Sequence, residues 1–250
     1  MNRIETALQA LQEKEEKAFI TYITAGLPDY DKTKAIIKAQ EAAGTDIIEL
    51  GIPFSDPVAD GPVIQAASYE AILGGANLEK TFTCMKEMRT DGVQIPVVFM
   101  MYYNTVLHYG VEKFVKECNA CGVDGLIIPD LPLEEQEELQ TQLQKEDGTI
   151  LIQLVSPVSK DRVPKILKNA RGFVYCVSSM GVTGQEEKEA KIPVMMGFGI
   201  RTAEDVRPMK EIIDGAIVGS HFITLMRKHG FDPQAAADYC STFKKELNEM

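Results

Sequence analysis

Glu49 has the clearest chemical use of any side chain in this sequence. It lies in the apolar run Asp46–Ile52, where successive side chains alternate between two faces, so that Ile48 and Leu50 share the face opposite Glu49. The apolar face is expected to pack against helices. Glu49 then points into an interior where burial raises the pKa of a carboxyl group, as suits a general acid or base. A structural carboxylate, or a strand register shifted by one residue, is the alternative.

Two further carboxylates follow Glu49 closely. Asp56 and Asp60 lie in the proline-rich loop Pro53–Pro62, which is too irregular for a helix or a strand. Carboxyl groups in different surroundings take different pKa values, and proton transfer between an acid and a base uses such a difference. The alternative is structural, with Asp56 forming a turn before a proline and Asp60 capping the helix that begins near Pro62.

Glycines late in the chain stand where a phosphate could bind. The segments Gly197–Gly199 and Gly219–Ser220 follow the last two apolar runs, and Gly184 follows the run before them. Backbone N–H groups and a helix N-terminus approach an anion closely where no Cβ intervenes. Each glycine alone is more often a simple turn. Their joint placement favours a phosphorylated substrate.

Two other kinds of chemistry find little support in the sequence. The histidines His108, His221 and His229 show no metal-like spacing with carboxylates or cysteines, which disfavours a metal-dependent aldolase. No lysine lies in any of the apolar runs given below, which disfavours a Schiff-base nucleophile.

The elements that must position these groups alternate between short apolar runs and longer amphipathic segments, a pattern typical of βαβ units. Eight runs are predicted as strands: Ala18–Ala25, Asp46–Ile52, Pro96–Tyr102, Gly125–Pro129, Thr149–Val155, Phe173–Ser178, Pro193–Phe198 and Gly215–Gly219. The predicted helices include Arg3–Glu13, Lys32–Ala43, Val63–Leu73, Leu78–Arg89, Val111–Ala120, Glu134–Lys145, Lys160–Asn169 and Pro233–Leu247.

This order predicts an α/β protein, a single (β/α)8 TIM barrel over residues 1–250 with an extra N-terminal helix; a doubly wound open sheet is the alternative. The interval Ser179–Lys191 is too short for a loop and a covering helix. The sixth helix is therefore expected to be short, absent, or formed by residues missing from this 250-residue sequence.

Composition excludes several classes of function. The formal net charge is −11 and the pI is near 4.9, so nucleic acid and anionic lipid are unlikely partners. No apolar run approaches the roughly 20 residues of a membrane span, and the N-terminal segment does not resemble a signal peptide. Five cysteines in a chain of this length suggest no disulfide framework. A cytoplasmic protein is expected.

Several of these segments closely resemble the tryptophan synthase alpha subunit family. The longest is IIELGIPFSDPVADGPVIQ, which spans Ile47–Gln65. Further matches are DGLIIPDLP at Asp124–Pro132, GVTG at Gly181–Gly184, GFGI at Gly197–Ile200, and Gly219–Ser220. They occur in the order of the family and span most of the chain.

The resemblance implies a TIM-barrel lyase of tryptophan biosynthesis. Such enzymes cleave indole-3-glycerol phosphate to indole and glyceraldehyde 3-phosphate by a retro-aldol reaction, without a metal or an organic cofactor. By resemblance, Glu49 is the acid–base that handles the proton at indole C3 and at the glycerol hydroxyl. Asp60 holds the indole N–H and stabilises the positive charge that develops there.

The resemblance also implies substrate contacts and a partner. The substrate-binding positions are Tyr22, Tyr175, Thr183, Gly184, Phe198, Gly199, Gly219 and Ser220. The expected partner is a tryptophan synthase beta subunit in an alpha2beta2 complex, which contains pyridoxal phosphate and converts indole to L-tryptophan. The positions that match the family's partner interface are Pro53, Phe54, Asp56, Pro57, Asn104 and Pro132.

Two other functions remain open from the sequence. One is a barrel without turnover that acts as an allosteric partner of the beta subunit, although the presence of Glu49 and Asp60 argues against it. The other is a different phosphate-binding barrel, such as an isomerase of histidine or tryptophan biosynthesis. Those enzymes use other acid–base pairs, and the Pro53–Pro62 loop is not typical of them.

Overall fold

The computed structural model describes residues 2–146, 148–156, 162–177, 192–197 and 199–250. The strands are β1 (Ala18–Thr24), β2 (Ile47–Gly51), β3 (Val97–Met100), β4 (Gly125–Ile127), β5 (Ile150–Leu151), β6 (Gln153–Val155), β7 (Val174–Cys176), β8 (Val194–Met196) and β9 (Gly215–Val218). The helices are α1 (Arg3–Glu13), α2 (Tyr30–Ala42), α3 (Pro62–Leu73), α4 (Leu78–Thr90), α5 (Tyr103–Tyr109), α6 (Val111–Cys121), α7 (Glu137–Lys145), α8 (Val163–Leu167), α9 (Ser220–Lys228) and α10 (Pro233–Glu249). None of these helices is long and apolar enough to cross a membrane.

The strands form one parallel sheet that closes into a barrel. Its order is β5-β4-β3-β2-β1-β9-β8-β7-β6, and the two outermost strands are consecutive in the chain, separated by Ile152 alone. The N–H of Ile152 donates to the carbonyl of Leu126 at 2.9 Å, so the ladder continues through this residue. β5 and β6 are therefore two halves of one barrel strand, paired to β4 on one side and to β7 on the other. The predicted TIM barrel is confirmed.

The strand faces separate an outer core from the barrel interior. Ile48, Leu50 and Ile52 pack with helix side chains in the outer core, whereas Ile47 packs in the interior. Glu49 has the same parity as Ile47 and is 2% exposed. The predicted register of this strand, with Glu49 facing inward, is confirmed.

Helix α1 closes the amino-terminal end of the barrel. Asn2 and Glu5 form a capping box at its start. Its buried residues Ile4, Leu8 and Leu11 lie one turn apart on one face and join the interior core. The opposite, carboxyl-terminal end of the strands is left for function.

The predicted elements differ from the observed ones mainly at their ends. Every predicted strand contains an observed strand, and the fifth is divided at Ile152. The helix predicted over Glu134–Lys145 is a short 3-10 turn at Leu133–Glu135 followed by α7. Helices α5 and α9 were not among the predicted helices. The interval in which the sixth helix was expected to be short or absent lies outside the described residues.

Candidate active site

A cavity of about 450 Å³ opens at the carboxyl-terminal ends of the strands. Parallel strands direct the side chains and loops that follow them toward this end, which is where TIM-barrel active sites form. The cavity is lined by Tyr22, Glu49, Val63, Ile64, Met100, Tyr175, Gly197, Gly199, Ile200, Arg201, Ile217, Gly219, Ser220, His221 and Thr224. Six of the predicted site residues thus meet in one place: Glu49, Tyr22, Tyr175, Gly199, Gly219 and Ser220.

Glu49 is a buried carboxyl group without full hydrogen bonding. Its side chain projects from β2 into the cavity, and its Oε1 atom has no hydrogen-bond partner. Burial raises the pKa of Glu49 to about 8, and the nearby charge of Asp60 adds to this rise. At neutral pH Glu49 is therefore mostly protonated, and its side chain lines the cavity.

Asp60 lies beside Glu49 on the loop between β2 and α3 and is not one of the residues that line the cavity. Its Oδ2 atom accepts a hydrogen bond from the hydroxyl of Tyr102 at 3.0 Å, and the same hydroxyl accepts one from the N–H of Ala59 at 2.9 Å. Burial raises the pKa of Asp60, while the hydrogen bond from Tyr102 opposes that rise. Two acids with different surroundings thus lie close together, as the sequence predicted.

Tyr102 is a residue of this site that the sequence analysis missed. It follows β3, and its ring stacks on Phe54 with the centroids 5.0 Å apart. Tyr102 therefore contacts the Pro53–Pro62 loop at three points: the ring of Phe54, the N–H of Ala59 and the carboxylate of Asp60. Its position at the carboxyl end of a predicted strand was the available signal.

Tyr22 and Tyr175 each lie over a glycine of a neighbouring strand end. A Cβ at Gly51 would lie 2.0 Å from the hydroxyl oxygen of Tyr22, and a Cβ at Gly197 would lie 2.2 Å from that of Tyr175. The Tyr175 hydroxyl donates to the carbonyl of Gly197 at 3.3 Å. The glycines are thus required for both rings to enter the cavity wall beside Glu49.

The glycines at the other side of the cavity leave backbone groups open. Gly199 has φ +76, a left-handed conformation that glycine adopts without strain. Gly219 precedes α9, and no side chain caps that helix, so its first N–H groups remain available. A helix N-terminus of this kind attracts an anion. The other predicted substrate residues, Thr183, Gly184 and Phe198, lie outside the described residues.

The predicted interface positions follow β2, β3 and β4 at the carboxyl-terminal end of the barrel, where the cavity opens. Asp56, Asn104 and Pro132 are exposed, and Val58 on the same face is 84% exposed. Pro53, Phe54, Asp56 and Pro57 lie on the loop after β2 and Pro132 on the segment after β4, whereas Asn104 is the second residue of helix α5, which follows β3.

Metal ligands do not converge anywhere in the part of the chain that the structure describes. No group of three His, Cys, Asp or Glu side chains there could hold an ion. The chemistry that this arrangement supports is proton transfer between carboxyl groups, next to an anion site.

Known proteins are similar to this chain over nearly its whole length. A family model described as "Tryptophan synthase alpha chain" matches residues 8–250. The tryptophan synthase alpha chain of Lachnospira eligens is 64% identical over 263 residues, covering 99% of this chain and 100% of that protein. That of Alkaliphilus metalliredigens is 47% identical over 264 residues, covering 100% and 98%.

Solved structures of tryptophan synthase alpha chains are also similar to this chain. Tryptophan synthase subunit alpha from Legionella pneumophila strain Paris matches with a TM-score of 0.92 at 33% identity, covering 100% of both chains. A chain of ligand-free tryptophan synthase from M. tuberculosis matches with a TM-score of 0.89 at 30% identity, covering 99% of both chains.

Proposed function

This chain belongs to the tryptophan synthase alpha chain family, and we propose that Glu49, in the cavity wall, and Asp60, on the adjoining loop, perform the family's reaction. The protein is a carbon–carbon lyase that cleaves indole-3-glycerol phosphate to indole and glyceraldehyde 3-phosphate. Indole passes to a beta subunit, which makes L-tryptophan, and the two chains form an alpha2beta2 complex. We further propose that the complex is cytoplasmic.

Glu49 supplies the proton that starts the cleavage. Protonation of indole C3 interrupts the aromatic ring and places positive charge on the ring nitrogen. The glycerol hydroxyl next to C3 then loses its proton and becomes an aldehyde, the C–C bond breaks, and its electron pair restores the ring. One proton is taken up and one is released, so Glu49 recovers from the hydroxyl what it gave to C3. A pKa of about 8 makes its protonated form available at neutral pH.

Asp60 balances the charge that this step creates. Its carboxylate accepts the indole N–H and so stabilises the positive nitrogen in the transition state, where the interaction is strongest. The hydrogen bond from Tyr102 holds one oxygen of Asp60 in place. Tyr102 is accordingly a positioning residue, since it acts through Asp60.

The phosphate binds at the opposite side of the cavity. Its oxygens meet the free N–H groups at Gly219 and Ser220 and the loop at Gly199. By resemblance to the family, Gly184 and Phe198 join this part of the site, and Thr183 helps to order the catalytic carboxylates. The rings of Tyr22 and Tyr175 bound the space between the phosphate and Glu49. This chain requires no metal or organic cofactor in our proposal, and pyridoxal phosphate belongs to the beta subunit.

The buried, incompletely hydrogen-bonded Glu49 supports this assignment most strongly. A direct test measures indole release from indole-3-glycerol phosphate, with and without a beta subunit. We expect indole in both cases and faster release with the partner, because the Pro53–Pro62 loop holds Asp60 and also contains interface positions. Absence of indole at saturating substrate and partner would instead support the barrel without turnover.

A further inference from the structure

Arg201 lines the cavity next to the first turn of α9. It follows β8, and its positive charge contributes to the lowered pKa of His221, the second residue of α9, after the larger effect of burial. The guanidinium group therefore lies close to the N-terminus of this helix. Arg201 is the one Lys or Arg among the described residues that line the cavity.

The backbone of Arg201 is held firmly on both sides. Its N–H donates to Oδ2 of Asp205 at 2.9 Å, and its carbonyl accepts a hydrogen bond from the hydroxyl of Tyr239 at 2.8 Å. Asp205 Oδ2 also accepts from the N–H of Thr202 at 2.9 Å and from its hydroxyl at 3.2 Å. Asp205 thus serves to fix the backbone at this turn.

The guanidinium group forms no ion pair with a described carboxylate, although its charge, after the backbone hydrogen bonds from Thr202 and Arg201, helps to lower the pKa of Asp205. Within the described ranges, no salt bridge joins Arg201 to a carboxylate, although Asp205 is near enough to influence His221. Arg207, two turns further along, provides a contrast, because it donates to both carboxylate oxygens of Glu204 at 2.7 and 2.5 Å. Among the described residues, Arg201 therefore keeps its guanidinium N–H donors available to a ligand.

A solvent-exposed cation beside a helix N-terminus favours an anion bound between the two. The N-terminus of a helix carries partial positive charge, so a neighbouring guanidinium group is repelled unless an anion lies between them. The carboxylate of Asp60 and the net charge of −11 would also repel a phosphorylated substrate. A local cation beside free backbone N–H groups offsets this repulsion of the phosphate group.

We propose that Arg201 is a specificity-determining residue that pairs with the phosphate group of the substrate and selects phosphorylated over dephosphorylated substrates. This inference rests on the proposed function and adds a residue to its phosphate site. The planar guanidinium group offers two parallel N–H donors to two phosphate oxygens, a geometry that lysine cannot provide.

The test compares Arg201→Gln and Arg201→Lys with the parent on two substrates, indole-3-glycerol phosphate and its dephosphorylated form. For Arg201→Gln we expect a roughly 10-fold or larger rise in KM for the phosphorylated substrate, the size of one charge-assisted interaction. The kcat should change less than about threefold. Arg201→Lys should recover part of the loss. The kcat/KM for the dephosphorylated substrate should not change.

Arg207→Gln is the matched control, because it removes the same charge from the same segment outside the cavity. It should leave both substrates unaffected. Equal losses of kcat/KM on both substrates for Arg201→Gln, or no loss on either, would overturn the proposal.

Calorimetric binding of glycerol 3-phosphate separates this inference from the proposed function, since it requires no turnover. If the parent binds glycerol 3-phosphate and Arg201→Gln binds it roughly 10-fold more weakly, the phosphate contact is supported even if cleavage is absent. Equal binding by the parent and by Arg201→Gln would exclude the contact, whatever the cleavage assay shows.

Discussion

Two carboxyl groups at opposite ends of the barrel, Glu49 and Asp124, are each 2% exposed but have different surroundings. At the amino-terminal end, Asp124 accepts from Nη1 of Arg3, from Nη2 of Arg89 and from the N–H of Val97, all at 2.9 Å. At the carboxyl-terminal end, Glu49 has an oxygen with no partner. Burial raises the pKa of both groups, but hydrogen bonds and arginine charges oppose the rise at Asp124 alone.

This contrast separates a structural carboxylate from a functional one. A buried charge stabilises a fold only when its desolvation is offset by ion pairs and hydrogen bonds, as at Asp124. Glu49 lacks that compensation and so costs stability, which is expected where a group must exchange protons with a substrate. Burial alone does not distinguish the two; the partners do.

The largest expected effect comes from Glu49→Gln. An amide cannot transfer a proton, so indole release should fall by about 10²- to 10⁴-fold. The measurement is kcat for indole-3-glycerol phosphate in the presence of the beta subunit. Glu79→Gln is the matched control, because Glu79 is exposed on α4 outside the cavity. Turnover of Glu49→Gln within tenfold of the parent would remove Glu49 from the mechanism.

The second expected effect is on the free energy of unfolding, which should fall when Asp124 is replaced and rise when Glu49 is replaced. Asp124→Asn leaves Arg3 and Arg89 without their anionic partner, so unfolding in urea should show a loss of about 2–4 kcal/mol with kcat unchanged. Glu49→Gln should instead stabilise the protein at pH 8 by about 1–3 kcal/mol. Equal losses in both variants would show that the two carboxyl groups serve the same role.

The pH dependence of this stabilisation has a definite direction. The pKa of Glu49 is about 8 in the folded protein, above its ordinary value of 4.5. Between these values the folded protein holds a proton that the unfolded chain has lost, so the parent loses stability as pH rises. The advantage of Glu49→Gln should therefore be absent below about pH 4.5 and grow up to about pH 8.

The smallest expected effect is on KM and comes from Gly219, on the proposed phosphate side of the cavity at the carboxyl-terminal end of the barrel. A Cβ at Gly219 would meet Tyr22 Cβ at 3.7 Å and Ile64 Cδ1 at 3.9 Å, both ordinary contacts. Gly219→Ala should therefore remain close to the parent. The methyl groups of Gly219→Val would crowd the free N–H groups and raise KM for the phosphorylated substrate roughly 5- to 10-fold. An unchanged KM in the valine variant would remove this loop from the site.

Local patterns were sufficient to predict much of the barrel and the orientation of Glu49. Strand alternation placed Glu49 inward, and α1 and α2 begin at the side-chain caps Asn2 and Asp29. Helices α5 and α9 begin at residues whose side chains make no capping hydrogen bond, so the sequence carries no start signal for them. Their starts depend on the preceding strand ends instead.

Contacts between distant segments could not be predicted in this way. The hydrogen bond between Tyr102 and Asp60 joins residues 42 apart in the chain. The fit of Tyr22 over Gly51 depends on the pairing of β1 with β2. Arg201 belongs to no recognisable sequence motif, because its proposed role depends on its position near α9 and on the lack of a salt bridge to a described carboxylate. The catalytic and substrate-binding roles of the predicted residues remain predictions.

The most direct test of the central claim is a titration of the Glu49 carboxyl group in the free protein. Carbon-13 NMR of glutamate-labelled protein, with the Glu49 signal assigned from the Glu49→Gln spectrum, reports the midpoint without turnover. We predict a midpoint near pH 8, with kcat/KM falling as the pH rises through the same value, because only the protonated acid can deliver a proton to C3. A midpoint near the ordinary value of 4.5 would contradict the account.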